Sequence, residues 1–523
     1  MIGASAARGQ MVSPTASDAT VVTRGAVRFR GEIQWTRIDG VFGGNGTVQP
    51  RGSALTTDVN SSVLPLLSDA ESAARTLAAD PSVTLTAGQL RTSVDSRIAS
   101  VPLSFEYGLT SRITIGALVP IVQSRSVVSS QLNGPADSSA NVGTNPAFFH
   151  QSATAYAANA AVAVGLSTAR DQLEQRLSQC AASPTLSGCP ALNARSAEAT
   201  ALLGASTNFA FGVATLYGIS PDQPGAPFAP IAGSNVQTAI DSRLASLRAS
   251  FTSFGFSSGT AALAPAQAPA ANTQFSRIVN DVDYGIEVDS IGTTTQTTVG
   301  DIELSVGMLL FNSFANERGV RLRGVATGVV RLGTGHPARA NRPFDVPTGD
   351  GQTDIEVRAA LDAMIGRRFL TTVAGTYTAQ MGSVPTTRLP SPPGSVFALD
   401  FPVSGSVKPG HMASVRINPR YMITPALMVG ALGIGSFRAA DQVTVTGFAP
   451  DGATFGNQNS YTLLAGGLTI GYSNLASATG IGGRGFPAEI VFSHLETLSA
   501  SMAGAEKSYR DSIELRYYFR TRR

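Results

Sequence analysis

From Asp354 to Ala363 the chain reads DIEVRAALDA, and its charges keep to one parity. Asp354, Glu356, Arg358 and Asp362 fall on one row, while Ile355, Val357, Ala359, Leu361 and Ala363 fall on the other. Ala360 and Met364 interrupt the polar row, yet no charge enters the apolar row before Arg367. A period of two is a strand with one polar and one apolar face. The alternation recurs at 27–37, 101–107, 112–122, 300–311, 319–333, 368–381, 411–422, 425–438, 458–473, 485–496 and 507–519. With 352–364 this predicts twelve strands, those at 425–438 and 458–473 having the weakest parity.

The connections alternate in length. Short links at 108–112, 312–318, 364–368, 421–425 and 474–484 alternate with long ones at 38–98, 124–297, 334–351, 382–408 and 439–457. A hairpin barrel with tight periplasmic turns and long external loops has this asymmetry, whereas a soluble sandwich has no reason to keep its long loops at one end. The expected fold is therefore all-β: an antiparallel transmembrane β-barrel of about twelve strands. An even strand number puts both chain ends on the periplasmic side. The last strand places Ile513, Leu515, Tyr517 and Phe519 on one face. It resembles the aromatic C-terminal signal read by the barrel-assembly machinery, with RTRR extending beyond Phe519.

Residues 124–297 carry a different period. Val162, Leu166, Ala169, Leu173, Leu177 and Cys180 recur at three and four, as do Val236, Ile240, Leu244, Leu247 and Phe251. Both stretches predict amphipathic helices. A shorter helix is expected near 68–80, opened by a capping box of Ser68 with Glu71. Ala/Pro-rich runs such as PDQPGAPFAP and AALAPAQAPAA read as linkers. The expected organisation is a tail and signal-peptide remnant at 1–23, barrel strands at 24–123 with the long loop 38–98, a partly helical insertion at 124–297, and further barrel strands at 298–523. The insertion would cap the external mouth, fold inward as a plug, or lie on the surface.

Charged residues make up 14% of the chain, against about 25% in typical soluble domains. The net charge of +3 favours no nucleic-acid partner. With no apolar run approaching the length of a spanning helix, any crossing of a membrane must use strands. Ala4-Ser5-Ala6 has the small-residue pattern of a signal cleavage site. Met1 is then an internal start downstream of the rest of a secretory signal; the alternative is an ordinary tail. Cys180 and Cys189 bracket AASPTLSG and form either a disulfide suited to an oxidising compartment or two free thiols. His150, His336, His411 and His494 do not cluster, so no metal is expected, and no cofactor motif stands out. Ser493 and His494 are adjacent and point to opposite faces of one strand, which argues against a catalytic pair; no enzyme activity is expected.

Four stretches in order carry a family resemblance: YGLTSRITIGALVPI, VGDIELSVGMLLF, RLGTG followed by PTGDGQTDIEVRAALDAMIGRRF, and RYMITPALMVGAL. Over 99–123 and 298–519 the chain resembles the outer-membrane barrels grouped with a protein of the phenol meta-degradation pathway. The resemblance implies a channel or transporter for hydrophobic or aromatic compounds, and supplies no catalytic residues. The chain departs from the family in its long first and second loops. TNPAF (144–148) resembles the Asn-Pro-Ala of fatty-acid channels but lies inside a loop, and is read as coincidence.

Twelve strands fall between small side-chain-filled barrels and wide porins, so the lumen should be narrow. Expected to face it are Arg28, Arg30, Glu32, Glu106, Asp301, Glu303, Arg321, Arg323, Asp354, Glu356, Arg358, Arg416, Glu514 and Arg516. Such a set either lines a pore for small solutes or fills the interior as paired charge. A second function class makes the barrel an anchor in outer-membrane lipid, with 124–297 binding a partner.

Overall fold

The computed structural model describes residues 18–520, apart from 44, 65, 136, 138, 282–291, 315–318, 338–343, 382–383, 386–404, 446–459, 475–486 and 503–504. Twelve long strands among the described residues form a meander: β1 (Ala26–Phe42), β2 (Thr86–Gly108), β3 (Ile113–Leu132), β4 (Ile302–Asn312), β5 (Val320–Leu332), β6 (Asp354–Ile365), β7 (Phe369–Gln380), β8 (Met412–Met422), β9 (Leu427–Arg438), β10 (Tyr461–Ser473), β11 (Ala488–Ala500) and β12 (Glu506–Arg520). Each pairs antiparallel with its chain neighbour, and β1 pairs with both β2 and β12, so the sheet closes.

Burial is inverted relative to a soluble protein. Val357 is 56% exposed while its neighbour Glu356 is 5% exposed, and the same reversal runs around the wall. Ile33, Trp35, Phe105, Val306, Ile355, Val415, Ile470 and Ile513 all face outward. An apolar outer band around a polar interior is the signature of a barrel whose outer solvent is lipid.

The first three strands run further than the alternation predicts. On β2 the outward row changes from Val101, Leu103, Phe105 and Tyr107 to Arg97 and Asp95. On β1 it changes from Ile33 and Trp35 to Arg37 and Asp39. These charges pair on the outer surface, Arg97 with Asp95 at 2.7 Å and Arg37 with Asp95 at 3.6 Å. Past the lipid edge the outer face meets water, so parity no longer separates apolar from polar and the sequence signal for a strand fades.

The insertion is helical, with α1 (Leu66–Ala78) from the first long loop and α2 (Pro146–His150), α3 (Ala153–Ala182), α4 (Cys189–Ala194), α5 (Ser196–Tyr217), α6 (Asn235–Ser253) and α7 (Asn272–Asn280) from the second. Leu67, Leu77, Leu166, Phe209, Phe251 and Phe275 share one apolar core with Leu90 of β2 and Leu132 of β3. The helices are thus anchored to the outer ends of the β2–β3 hairpin. The Cys180–Cys189 disulfide joins the end of α3 to the start of α4.

Two local expectations differ. Helix α1 begins at Leu66, ahead of Ser68, and Glu71 does not close a capping box; its buried carboxylate accepts from the backbone N–H of Leu85 at 2.9 Å. Helix α5 has a mean hydropathy of 1.3, sufficient by composition to cross a bilayer, although no apolar run was expected to reach that length. Its small residues let it pack against α1, α3 and α6, and Gly212 leaves no room for a Cβ beside Leu77. The Asn-Pro-Ala of TNPAF is structural: Asn145 caps α2 and donates to the carbonyls of Leu216 and Ala226.

Candidate functional site

Two segments outside the wall enter the barrel. At the short-turn end the chain turns inward before β1, where Gly25 N–H donates to Gly108 O at 2.9 Å. Gly108 is required there, because a Cβ would lie 2.1 Å from the carbonyl oxygen of Thr23. Residues 18–24 then cross the lumen. Val22 N–H donates to the Thr114 hydroxyl at 2.9 Å and Ala19 N–H to the Asp362 carboxylate at 3.1 Å. At the other end residues 344–351 fold in, and Val346 packs on Ile38, Ile98 and Val122. Its carbonyl accepts from Ser124 at 2.9 Å and from Gln296 at 2.7 Å.

Between these segments lies a charged wall built by register. Arg331 on β5 stands opposite Glu303 on β4 and Asp354 on β6. It reaches Glu303 at 3.1 Å, Glu356 at 2.9 Å and Asp354 at 3.5 Å. Arg358 completes the group on Glu303 at 2.8 Å and on Glu356. All five side chains are buried, where charge is tolerated only because it is paired and hydrogen-bonded.

A second group ties the N-terminal segment to the wall. Arg516 pairs with Asp18 and Glu514, Arg28 with Glu106, and Arg30 lies 3.4 Å from Glu514 and 3.7 Å from Glu106. Asp362 accepts from Arg323 at 2.6 Å and from Thr372 at 2.6 Å as well as from Ala19.

Beside residues 18 and 20 a cavity of about 370 Å³ remains, bounded by β6–β12. Arg416, Arg420 and Arg510 face it, as do Met364, Leu370, Met422, Met428, Leu432 and Leu495. A smaller space of about 70 Å³ lies across the segment, between Arg30, Glu106, Glu303 and Arg358. The first cavity has the size of a small-molecule site, with an adaptable methionine-rich wall.

No family model matches the chain, and no curated protein matches it in sequence. Among solved structures, an outer membrane channel from Pseudomonas putida F1 aligns at TM-score 0.42 and 10% identity, covering 97% of this chain and 100% of that one. The translocator domain of the autotransporter NalP from Neisseria meningitidis aligns at TM-score 0.30 and 7% identity, over 96% and 91%. The toluene transporter TodX from Pseudomonas putida aligns at TM-score 0.26 and 9% identity, over 96% and 90%. Likenesses of this size carry no functional conclusion; the barrel stands on its own strand pairing.

Of the residues expected in the lumen, Arg28, Arg30, Glu32, Glu303, Asp354, Glu356, Arg358, Glu514 and Arg516 are buried inside the wall. Glu106, Arg323 and Arg416 border the two cavities. Two sit at the rims instead. Arg321 donates to the carbonyl of Gly366 in a short turn at 2.7 Å. Asp301 precedes β4 and accepts from the backbone N–H groups of Gly335 at 2.8 Å and Asp350 at 3.0 Å. Burial, with Asp350 beside it, raises its carboxyl to about 6. Sequence reasoning missed Arg331, Arg420, Glu489 and Arg510 as site residues, although Arg510 shares the parity of Glu514 and Arg516, and Arg420 that of Arg416. It had no signal for residues 18–24, whose position depends on Thr114, Asp362 and Arg516, 92 or more positions away in the chain.

Proposed function

We propose that the chain is an outer-membrane channel for the passive passage of small hydrophobic or aromatic solutes. One observation carries the reading: a closed barrel holds a cavity of about 370 Å³, partly lined by methionine and leucine, and the segments obstructing its lumen are not wall strands. Residues 18–24 at one end and 344–351 at the other are attached through a few hydrogen bonds and ion pairs. A path can open by moving them while every wall strand stays paired. The resemblance of 99–123 and 298–519 to the family of the phenol meta-degradation pathway protein supports the same solute class. In this reading the outward rows meet outer-membrane lipid, Phe519 belongs to a strand recognised by the barrel-assembly machinery, and the fourteen expected charges act on solute only where they border open space.

Single-channel recording in a planar bilayer tests it. A variant lacking residues 18–24 should conduct in discrete steps larger than those of the full chain. Folded barrels of both forms that pass neither ions nor solute would sink the proposal.

A second reading gives the insertion 124–297 a partner-binding role. It is favoured by Val164 on α3 and Phe211 on α5, 61% and 72% exposed on two helices that pack together. Deleting 134–281, which spares the wall strand ending at Leu132, would then abolish a surface interaction while leaving solute uptake intact.

A further inference from the structure

Arginines on the lumen wall fall into two groups. Arg28, Arg30, Arg323, Arg331, Arg358 and Arg516 each rest on at least one carboxylate. Arg416 and Arg420 of β8 and Arg510 of β12 do not: among the described residues none of the three makes an ion pair. Arg420 donates to the Thr372 hydroxyl, and its Nε has no partner. Arg416 and Arg510 line one cavity together with Glu32.

Of the carboxylates in the lining, Glu32 alone is left to Arg416 and Arg510, and among the described residues it makes no ion pair with either. Asp18, Glu489 and Glu514 surround Arg516, and Asp362 serves Arg323. Holding three guanidinium groups out of water against a single carboxylate leaves excess positive charge, which is costly. An anion in the cavity would relieve it. Guanidinium is planar and forks onto a carboxylate in two parallel hydrogen bonds, which favours carboxylate as the head. The mixed wall around these arginines includes an apolar part, formed by Met364, Leu370, Met422, Met428, Leu432 and Leu495, beside polar groups such as Asn418, Thr469 and Ser493.

We propose that this cavity binds an apolar molecule bearing one carboxylate, with its head on Arg416 and Arg510 and its body on the methionine and leucine wall. The inference rests on the channel reading and narrows it: the preferred solute is an anionic aromatic or short alkyl carboxylate. Arg420, two repeats of the alternation closer to the short-turn end, gives the head its next position along the lumen.

Equilibrium dialysis of the folded full chain in zwitterionic detergent, with labelled benzoate as probe, tests the site. Benzoate should bind, and benzamide and inorganic phosphate should compete poorly, one lacking the charge and the other the apolar body. Arg416→Gln or Arg510→Gln should each weaken binding about tenfold, the scale of one charge-assisted hydrogen bond. Arg416→Lys keeps the charge but loses the fork, so its affinity should fall between those of the parent and Arg416→Gln, and heat-modifiable migration should confirm that each variant is folded. Equal benzoate binding by the parent and the R416Q/R510Q double variant would overturn the site, as would phosphate competing as well as benzoate. If benzoate fails to bind while benzyl alcohol still enters proteoliposomes, the anion site falls and the channel reading stands. If both fail, the channel reading falls with it.

Discussion

The backbone N–H of Ala19 donates to the carboxylate of Asp362 at 3.1 Å, joining two residues 343 positions apart across the inside of the barrel. Asp362 is fully buried and also receives Arg323 and Thr372. One wall carboxylate therefore fastens the segment that crosses the lumen. Asp362→Ala should loosen residues 18–24 and raise single-channel conductance. If conductance stays at the parent value while the barrel remains folded, that contact does not restrain the segment.

Val357 and Glu356 are sequence neighbours facing different solvents. Val357→Arg should destabilise the barrel by about 2–4 kcal/mol if the residue sits near the bilayer midplane, measured by urea unfolding in lipid vesicles. Val357→Leu should leave the midpoint nearly unchanged. Tolerance of arginine at this position would mean that the outward row does not face lipid.

Arg331 is shared by three carboxylates on two adjacent strands. Arg331→Met should cost about 3–5 kcal/mol, because it strands buried negative charge against Arg358 alone. Adding Glu356→Gln should recover part of the loss, so the pair of substitutions is markedly non-additive. Additive losses in the same unfolding assay would show that the group is not coupled.

Asp301 holds the inward connection through Gly335 and Asp350, with its carboxyl raised from 3.8 to about 6 by burial and by Asp350. The folded form binds this proton more tightly than the unfolded chain does. Its stabilising contribution is therefore fully present below about pH 3.8 and is lost as pH rises through about 6. Hydrogen exchange in 334–351, corrected for intrinsic rates, should lose protection between pH 4 and 7. Asp301→Asn should flatten that profile; an unchanged slope would assign the pH dependence elsewhere.

Much of the wall was legible in the chain because lipid outside and charge inside impose a period of two; a soluble sandwich shows the same period, and the one-sided long links set the two apart. The alternation of short and long links, and the helical spacing from Val162 to Cys180 and from Val236 to Phe251, are equally local signals. Each depends only on neighbours within one element. The strand ends past Ala99 and Arg37 were not legible, since there the outward row turns polar while the inward row turns apolar at Ile38, Ile98 and Leu90, which breaks the parity of the wall. Only the tertiary structure decided which charges are paired. Arg331 and Arg416 look alike in sequence, each an arginine on the inward row of a strand. Register with the two flanking strands brings Glu303, Asp354 and Glu356 to Arg331, whereas Arg416 of β8 and Arg510 of β12 come to line one cavity only because the barrel closes. Closure also sets residues 18–24 against Thr114, Asp362 and Arg516. The pattern along the chain determines which way each side chain points; the closed barrel determines what it meets there.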